Sequence, residues 1–284
     1  MHTSELPLSM VDAIVIRALE EDLGTGDVTT EACVPEDRMA VANGVARKEI
    51  VACGMPVAAR VFSAVDPSVR FTPKVEEGAK VGPGTVLFTV EGRARSLLSA
   101  ERVALNLLQR MSGVATMTRR YVDALPSGSK TRITDTRKTT PGLRLLERYA
   151  VRRGGGHNHR NDLGSAVLIK DNHIVAAGGV RAAIERARER APHTSKIECE
   201  VDTLEQLDEA LEAGADIVLL DNMDTPTVEE AVRRTRGRAI LEASGGITLE
   251  RVAELARAGV DAISVGALTH SVPAADIGLD FVSP

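Results

Sequence analysis

The sequence predicts an α/β protein in which a small, largely antiparallel sheet with helices comes first and an incomplete (β/α) barrel follows. Three observations carry this reading. Val-rich segments parted by Gly and Pro turns fill residues 40–95, a run of helix formers starts near Ser99, and beyond Lys130 short apolar segments alternate with amphipathic stretches.

Each element has its own signal. Val11, Ile14, Val15, Ala18 and Leu19 recur on one helical face behind Ser9 as N-cap, so the chain opens with an amphipathic helix. Between 40 and 95 the turn signals are Cys53-Gly54-Met55-Pro56, Asp66-Pro67-Ser68 and Val81-Gly82-Pro83-Gly84, and the segments between them read as strands. From Ser99 to about Tyr121 come Glu101, Arg102, Ala104, Leu105, Leu107 and Leu108, which predict one long helix, or two divided at Gly113.

After Lys130 the expected strands are Thr131–Asp135, Ala166–Lys170, Lys196–Val201, Asp216–Leu220, Ala239–Ala243 and Asp261–Val265. Apolar stripes such as Val180, Ala183, Ile184 and Ala187 mark helices between them. Strand starts roughly 20–30 residues apart suit a barrel or an open doubly wound sheet. Six strands rather than eight favour an incomplete or distorted barrel, with the open sheet as the alternative.

A chain of 284 residues holds one large or two modest domains. Its 43% hydrophobic and 26% charged residues exclude a disordered polymer and a membrane protein, so a soluble globular protein is expected. The apolar run from Val11 to Ile16 is too short to span a bilayer and meets Glu20, Glu21 and Asp22 at once. Cys33, Cys53 and Cys199 are widely spaced and odd in number, which argues against a disulfide framework or a zinc site and points to a reducing cytoplasm. With no Trp and only Tyr121 and Tyr149, a flat ligand has to be gripped by charge and backbone.

Charge is unevenly spread. Residues 130–170 hold ten basic and three acidic side chains, a local net of +7 in a chain whose total is −5. Arg144, Arg148 and Arg152 fall at helical spacing and read equally well as a solvated face. Arg137 and Lys138 directly follow the first barrel strand and Lys170 ends the next, at the rim where such folds bind ligands. Guanidinium groups there suit a small ligand with several carboxylates or phosphates. A nucleic acid fits poorly with the acidic remainder and the few aromatics.

Glu200 and Asp221 close the next two strands and face the same rim, where they suit Mg²⁺ or sugar hydroxyls; ion pairing with Lys170 is the structural alternative. Two glycine turns, Ser244-Gly245-Gly246 and Val265-Gly266-Ala267, follow the last two strands, in the position where barrels cradle phosphate. His270 lies four residues past Gly266 as a further donor. His157 and His159 follow Gly154-Gly155-Gly156 in what reads as a flexible loop; with no Cys or third His beside them, substrate or phosphate contacts are expected over zinc.

Taken in order, several segments resemble the quinolinate phosphoribosyltransferase family over essentially the whole chain. They are Glu21 to Thr29, Glu101-Arg102 through Leu108, Thr136 to Gly142, and His157 to Arg160, followed by Ile169 to His173, Glu198 to Val201, Asp221-Asn222-Met223 and Ser244 to Gly246. The resemblance implies conversion of quinolinate and phosphoribosyl pyrophosphate to nicotinate mononucleotide, pyrophosphate and CO₂, with Mg²⁺, in NAD synthesis. It implies an N-terminal α/β sandwich domain over residues 1–110, an open, incomplete (β/α) barrel over 111–270, and a tail, 271–284, returning to the first domain.

By the same resemblance Arg137, His159, Arg160 and Lys170 hold the two quinolinate carboxylates, with Thr136 in the binding set. Lys138, Glu200, Asp221, Ser244–Gly246, Val265–Ala267 and His270 serve the phosphoribosyl donor. Lys138, Lys170, Glu200 and Asp221 are the catalytic set, and Glu200 and Asp221 the metal ligands. Arg102 is implied to reach the active site of a neighbouring subunit, so a homodimer or higher homo-oligomer is expected. The pyridine nitrogen attacks the ribose anomeric carbon as pyrophosphate leaves, and the ring nitrogen, now cationic, eases the decarboxylation that follows.

Three other readings remain at this point. One is a relative of this family acting on another acceptor, like the similar proteins associated with molybdate transport. Another is a Schiff-base aldolase using Lys170. The third is a carrier module, since Val75 to Gly82 through Val90-Glu91-Gly92 looks like a lipoyl or biotinyl hairpin.

Overall fold

The computed structural model describes residues 6–282. Helix α1 (Leu8–Leu23) buries Val11, Val15 and Leu19, three positions of the predicted stripe. Its N-cap is Pro7 and not Ser9, because the Pro7 carbonyl already accepts from the N–H groups of Met10 and Val11 at 3.0 and 3.2 Å. The short α2 (Val28–Cys33) is capped by Asp27, whose Oδ1 accepts the Thr30 N–H at 3.0 Å. There follow β1 (Met39–Ala46), β2 (Ile50–Val51), α3 (Met55–Val65), β3 (Arg70–Pro73), β4 (Lys80–Val81), β5 (Val86–Arg93) and α4 (Ala94–Asp123).

One difference from the sequence reading stands out here. Cys53-Gly54-Met55-Pro56 leads into α3 and is not a turn between two strands. Gly54 caps it at φ +112°, Pro56 fits the first helical turn, and the Glu77 carboxylate accepts the N–H groups of Gly54 and Met55 at 3.0 and 2.8 Å. Of the two alternatives for the long helix, the single element is the one formed: α4 has 30 residues, with no break at Gly113. That glycine answers a close approach instead: a Cβ there would lie 2.3 Å from the Pro273 carbonyl oxygen.

Next come β6 (Arg132–Thr134), α5 (Arg144–Arg153), β7 (Val167–Ile169), α6 (Asp171–Ala177), α7 (Val180–Arg190), β8 (Ile197–Val201) and α8 (Leu204–Glu212). The chain ends with β9 (Ile217–Asp221), α9 (Thr225–Thr235), β10 (Ile240–Ser244), α10 (Leu249–Ala258), β11 (Ala262–Ser264), α11 (Ala267–His270) and β12 (Ile277–Phe281).

These elements form two compact units. One takes the chain up to Arg119, together with Thr139–Gly155 and everything from Thr269 on; the other takes Arg120–Lys138 and Gly156–Leu268. The first unit contains an antiparallel sheet in the order β12-β1-β5-β3, so the C-terminal strand pairs with β1. Phe62, Phe71 and Phe88 pack on one another there, Phe71 and Phe88 with centroids 4.7 Å apart. Gly44 makes room for them, since a Cβ would meet the Phe88 ring at 2.0 Å. Tyr149 of α5 is buried in this unit, donating its hydroxyl to Glu77 at 3.0 Å. Gly154, expected in a flexible loop, is packed against α4, where a Cβ would lie 2.6 Å from both Ala115 O and Thr118 Cβ.

The second unit is built on a parallel sheet ordered β6-β11-β10-β9-β8-β7. Its strands are short aliphatic runs such as Ile217-Val218-Leu219-Leu220, largely buried as parallel strands under helices must be. β6 and β7 are the two edges of this sheet, so the ring stays open, as an incomplete barrel requires. A single bridge between Thr134 and His157 continues the pairing beyond β6. Tyr121 is buried in this unit with its hydroxyl on Ile247 O at 3.2 Å.

Candidate active site

All six strands of the parallel sheet run the same way, so their C-terminal ends share one rim. A cavity of about 520 Å³ lies there, lined entirely by residues of the second unit. The β6 end supplies Thr136, Arg137 and Lys138, the β7 end Lys170, the β8 end Glu200, the β9 end Asp221 and Asn222, and the β10 end Ser244, Gly245 and Gly246. His159 and Arg160 complete the wall, while Leu168, Leu219, Glu242 and Ser264 project from the strands themselves.

Four of the lining groups are cations. Burial, and then the like charge of Arg137, pull the Arg160 pKa below its ordinary value. Its Nη1 donates to Ala166 O at 3.2 Å. Lys170 is fixed twice: its N–H donates to His173 Nδ1 at 2.9 Å, and its Nζ pairs with Glu200 Oε2 at 2.5 Å. The ion pair foreseen as the structural alternative for Glu200 is therefore formed. Asp221 Oδ2 accepts from Asn222 Nδ2 at 2.7 Å.

The turn after β10 is held to the end of β9. Asn222 has φ +54° and donates its N–H to Ser244 O at 3.0 Å. A Cβ on Gly245, at φ +87°, would sit 2.2 Å from Asn222 Oδ1, so only glycine fits.

Under the cations lies a buried carboxylate group. His159 Nε2 is 3.3 Å from the Glu198 carboxylate and 3.5 Å from Glu242 Oε1. Glu198 and Glu242 are 3% and 5% exposed, which places both inside the sheet rather than on its rim. Asp135 holds the His159 segment from below, accepting the His159 N–H at 2.7 Å and the Asn158 side-chain amide at 2.6 Å. Burial pushes the Glu242 carboxyl up to about 7, with the charge of Glu198 adding to it. For His159, burial pulls the pKa down, but Glu198, Glu242 and Asp135 together pull it up and prevail.

Not every expected residue lines this cavity. Val265 is buried and its N–H is taken by Thr134 O at 3.0 Å, and Gly266 and Ala267 are outside the lining set. His157 is spent on its backbone bridge to β6, with its N–H on Ile133 O at 2.8 Å. Arg102 and His270 are exposed and belong to the first unit. Sequence reasoning assigned no role to Glu198 and passed over Glu242. The signal was there, for each is an acidic residue in the interior of an aliphatic strand, where an unsupported charge is costly.

Residues 27–112 match the family described as quinolinate phosphoribosyl transferase, N-terminal domain, and residues 114–280 match the corresponding C-terminal domain. The chain is 48% identical over 270 residues to the nicotinate-nucleotide pyrophosphorylase (carboxylating) of Mycobacterium leprae, covering 93% of this chain and 94% of the relative. It is 46% identical over 260 residues to the probable enzyme of the same name from Bacillus subtilis, covering 92% and 89%. The solved nicotinate-nucleotide pyrophosphorylase of Francisella tularensis superposes with a TM-score of 0.94 at 39% identity, covering 99% of both chains. That of Ehrlichia chaffeensis gives 0.91 at 39% identity, covering 95% of this chain and 98% of the other. With both family domains matched in order over nearly its whole length, the chain belongs to the quinolinate phosphoribosyltransferase family.

Proposed function

We propose that the cavity at the rim of the open barrel is where this chain carries out its family's reaction. The chain transfers the phosphoribosyl group of phosphoribosyl pyrophosphate to quinolinate with loss of CO₂, giving nicotinate mononucleotide and pyrophosphate for NAD synthesis. The observation that supports this site is the convergence of Arg137, Lys138, Arg160 and Lys170 with Glu200 and Asp221 on successive strand ends. Two anionic substrates need cations, and a ribose needs acceptors for its hydroxyls.

Within that reading Arg137, His159, Arg160 and Lys170 grip the quinolinate carboxylates. Lys138, the two rim carboxylates and the Ser244–Gly246 turn take the phosphoribosyl donor. Glu200 and Asp221 are oxygen donors on neighbouring strands, a set that fits Mg²⁺, and they would hold it. The ion, when bound, offsets charge on the pyrophosphate leaving group. The chain's own part is to place the ring nitrogen against the anomeric carbon and to balance charge there.

Arg102, exposed on α4, is assigned to the active site of a second copy, which makes the working form a homodimer or larger. A reducing cytoplasm is supported by the three free cysteines, and no helix among the described residues is long and apolar enough to cross a membrane. Turnover assays of the purified protein with quinolinate and with nicotinate, each with the phosphoribosyl donor and Mg²⁺, test the assignment. Quinolinate is consumed and nicotinate is not; failure to consume quinolinate overturns it.

A further inference from the structure

The reaction needs a proton. When the carboxyl group beside the ring nitrogen leaves as CO₂, its electron pair stays on carbon and must be taken up by hydrogen. Few groups in the cavity can supply one. Arginine and lysine side chains are as a class far weaker acids than a carboxyl group, and Lys170 is in addition bound in its ion pair with Glu200.

His159 is equally unsuited as placed. The Arg160 N–H donates to its Nδ1 at 2.8 Å, so Nε2 is the nitrogen that offers hydrogen to Glu198 and Glu242, and the charges of those carboxylates hold that hydrogen in place. The same geometry disposes of a metal ion among these three groups, because a metal would need the Nε2 lone pair.

One N–H set between two buried carboxylates leaves a negative charge too many in the floor, and a proton shared there removes it. Glu242 is the carboxylate that also lines the cavity. It is 5% exposed, its Oε1 has no hydrogen bond, and Ser264 Oγ on the adjoining strand is likewise without one. Around it stand Glu198 from β8, His159, Asp135 at the end of β6 and, in register on β9, the apolar Leu219. His159 and the Ser264 hydroxyl favour the charged form of Glu242, but burial and the charges of Glu198 and Asp135 outweigh them.

We propose that Glu242, carrying a proton, is the acid that delivers the hydrogen replacing the lost carboxyl group. The carbon–carboxylate bond breaks, CO₂ departs, and the electron pair left on the ring carbon takes the proton. The Glu242 O–H bond breaks and leaves a carboxylate. The cationic ring nitrogen holds the electron pair in the interval, and solvent returns a proton to Glu242 once the product has left. A neutral Glu242 also spares the incoming dicarboxylate a like charge in the floor of its site. This inference rests on the quinolinate reaction taking place in this cavity.

The test separates the two bond changes in a single turnover with enzyme in excess. Pyrophosphate formation reports ribosylation, and CO₂ from quinolinate labelled in the carboxyl group beside nitrogen reports decarboxylation. In Glu242→Gln, pyrophosphate forms at the wild-type rate while CO₂ formation slows on the order of 10²-fold. Unchanged CO₂ formation, or an equal loss of both signals, overturns the proposal. A wild-type protein forming neither product from quinolinate overturns the underlying site assignment instead. Should the variant not fold, the wild-type pH profile decides: the CO₂ step slows as pH rises through about 7 with pyrophosphate formation lagging behind that loss, and a flat CO₂ step sinks the idea.

Discussion

Burial, and then the like charge of Arg137 beside it, weaken the hold of Arg160 on its proton. Each charge-assisted hydrogen bond to a carboxylate contributes about 1.5–3 kcal/mol, so Arg137→Ala or Arg160→Ala raises KM for quinolinate roughly 10- to 100-fold. Glu200→Ala acts mainly on KM for the phosphoribosyl donor. Initial rates with each substrate varied in turn check the split, and the reverse pattern contradicts the assignment. Glu242 adds a stability prediction of its own. Its folded pKa is raised from 4.5 to about 7, so the folded state holds a proton that the unfolded chain has already lost in that window. The contribution is full below pH 4.5 and is lost as pH rises through about 7, by the linkage relation. Urea unfolding of wild type and Glu242→Gln at pH 5 and pH 8 measures it. The wild type loses on the order of 1–3 kcal/mol more than the variant across that range. At this scale the rim was legible, because Arg137, Lys138, Lys170, Glu200 and Asp221 directly follow or end aliphatic strands. The floor was legible only in part, since an acidic residue inside an aliphatic strand marks Glu198 and Glu242 as unusual, while their meeting around His159 comes from the fold.

Among the elements, Gly113 reverses an ordinary rule. Gly to Ala inside a helix usually stabilises by roughly 1 kcal/mol, yet here the new Cβ would press on the Pro273 carbonyl oxygen at 2.3 Å. Gly113→Ala therefore lowers the thermal midpoint, by several degrees if the backbone gives way only in part; a raised midpoint in calorimetry would falsify the packing argument. The same glycine explains why the sequence left one long helix or two as alternatives. A residue that weakens a helix locally can be required by something packed against it, and the local pattern does not say which. The six parallel strands were readable to within a residue or two because strands buried on both faces are nearly unbroken aliphatic runs. Helix α3 was hidden because Gly54 and Pro56 are turn residues as well as helix-start residues. The choice between those roles is made by Glu77, over twenty residues away in sequence.

For the whole molecule, the proposed assignment of Arg102 to a second copy makes activity a property of the assembly. Chains carrying Arg102→Ala and chains carrying Lys170→Ala are each inactive alone, whereas mixed dimers hold one site with neither defect and recover activity. Mixing verified by mass spectrometry, followed by a quinolinate assay, checks this, and mixed dimers that stay inactive argue for sites complete within one chain. The two buried tyrosines have a use of another kind. The chain has no Trp, so its intrinsic near-ultraviolet emission comes from Tyr121 and Tyr149 alone, and each is enclosed in a different compact unit. Tyr121→Phe leaves emission that follows only the first unit, and Tyr149→Phe leaves emission that follows only the second. Two fluorescence traces of the same urea titration then reveal whether the units melt together or one after the other. Without indole absorbance, the pyridine chromophores of substrate and product can be followed against a nearly dark protein.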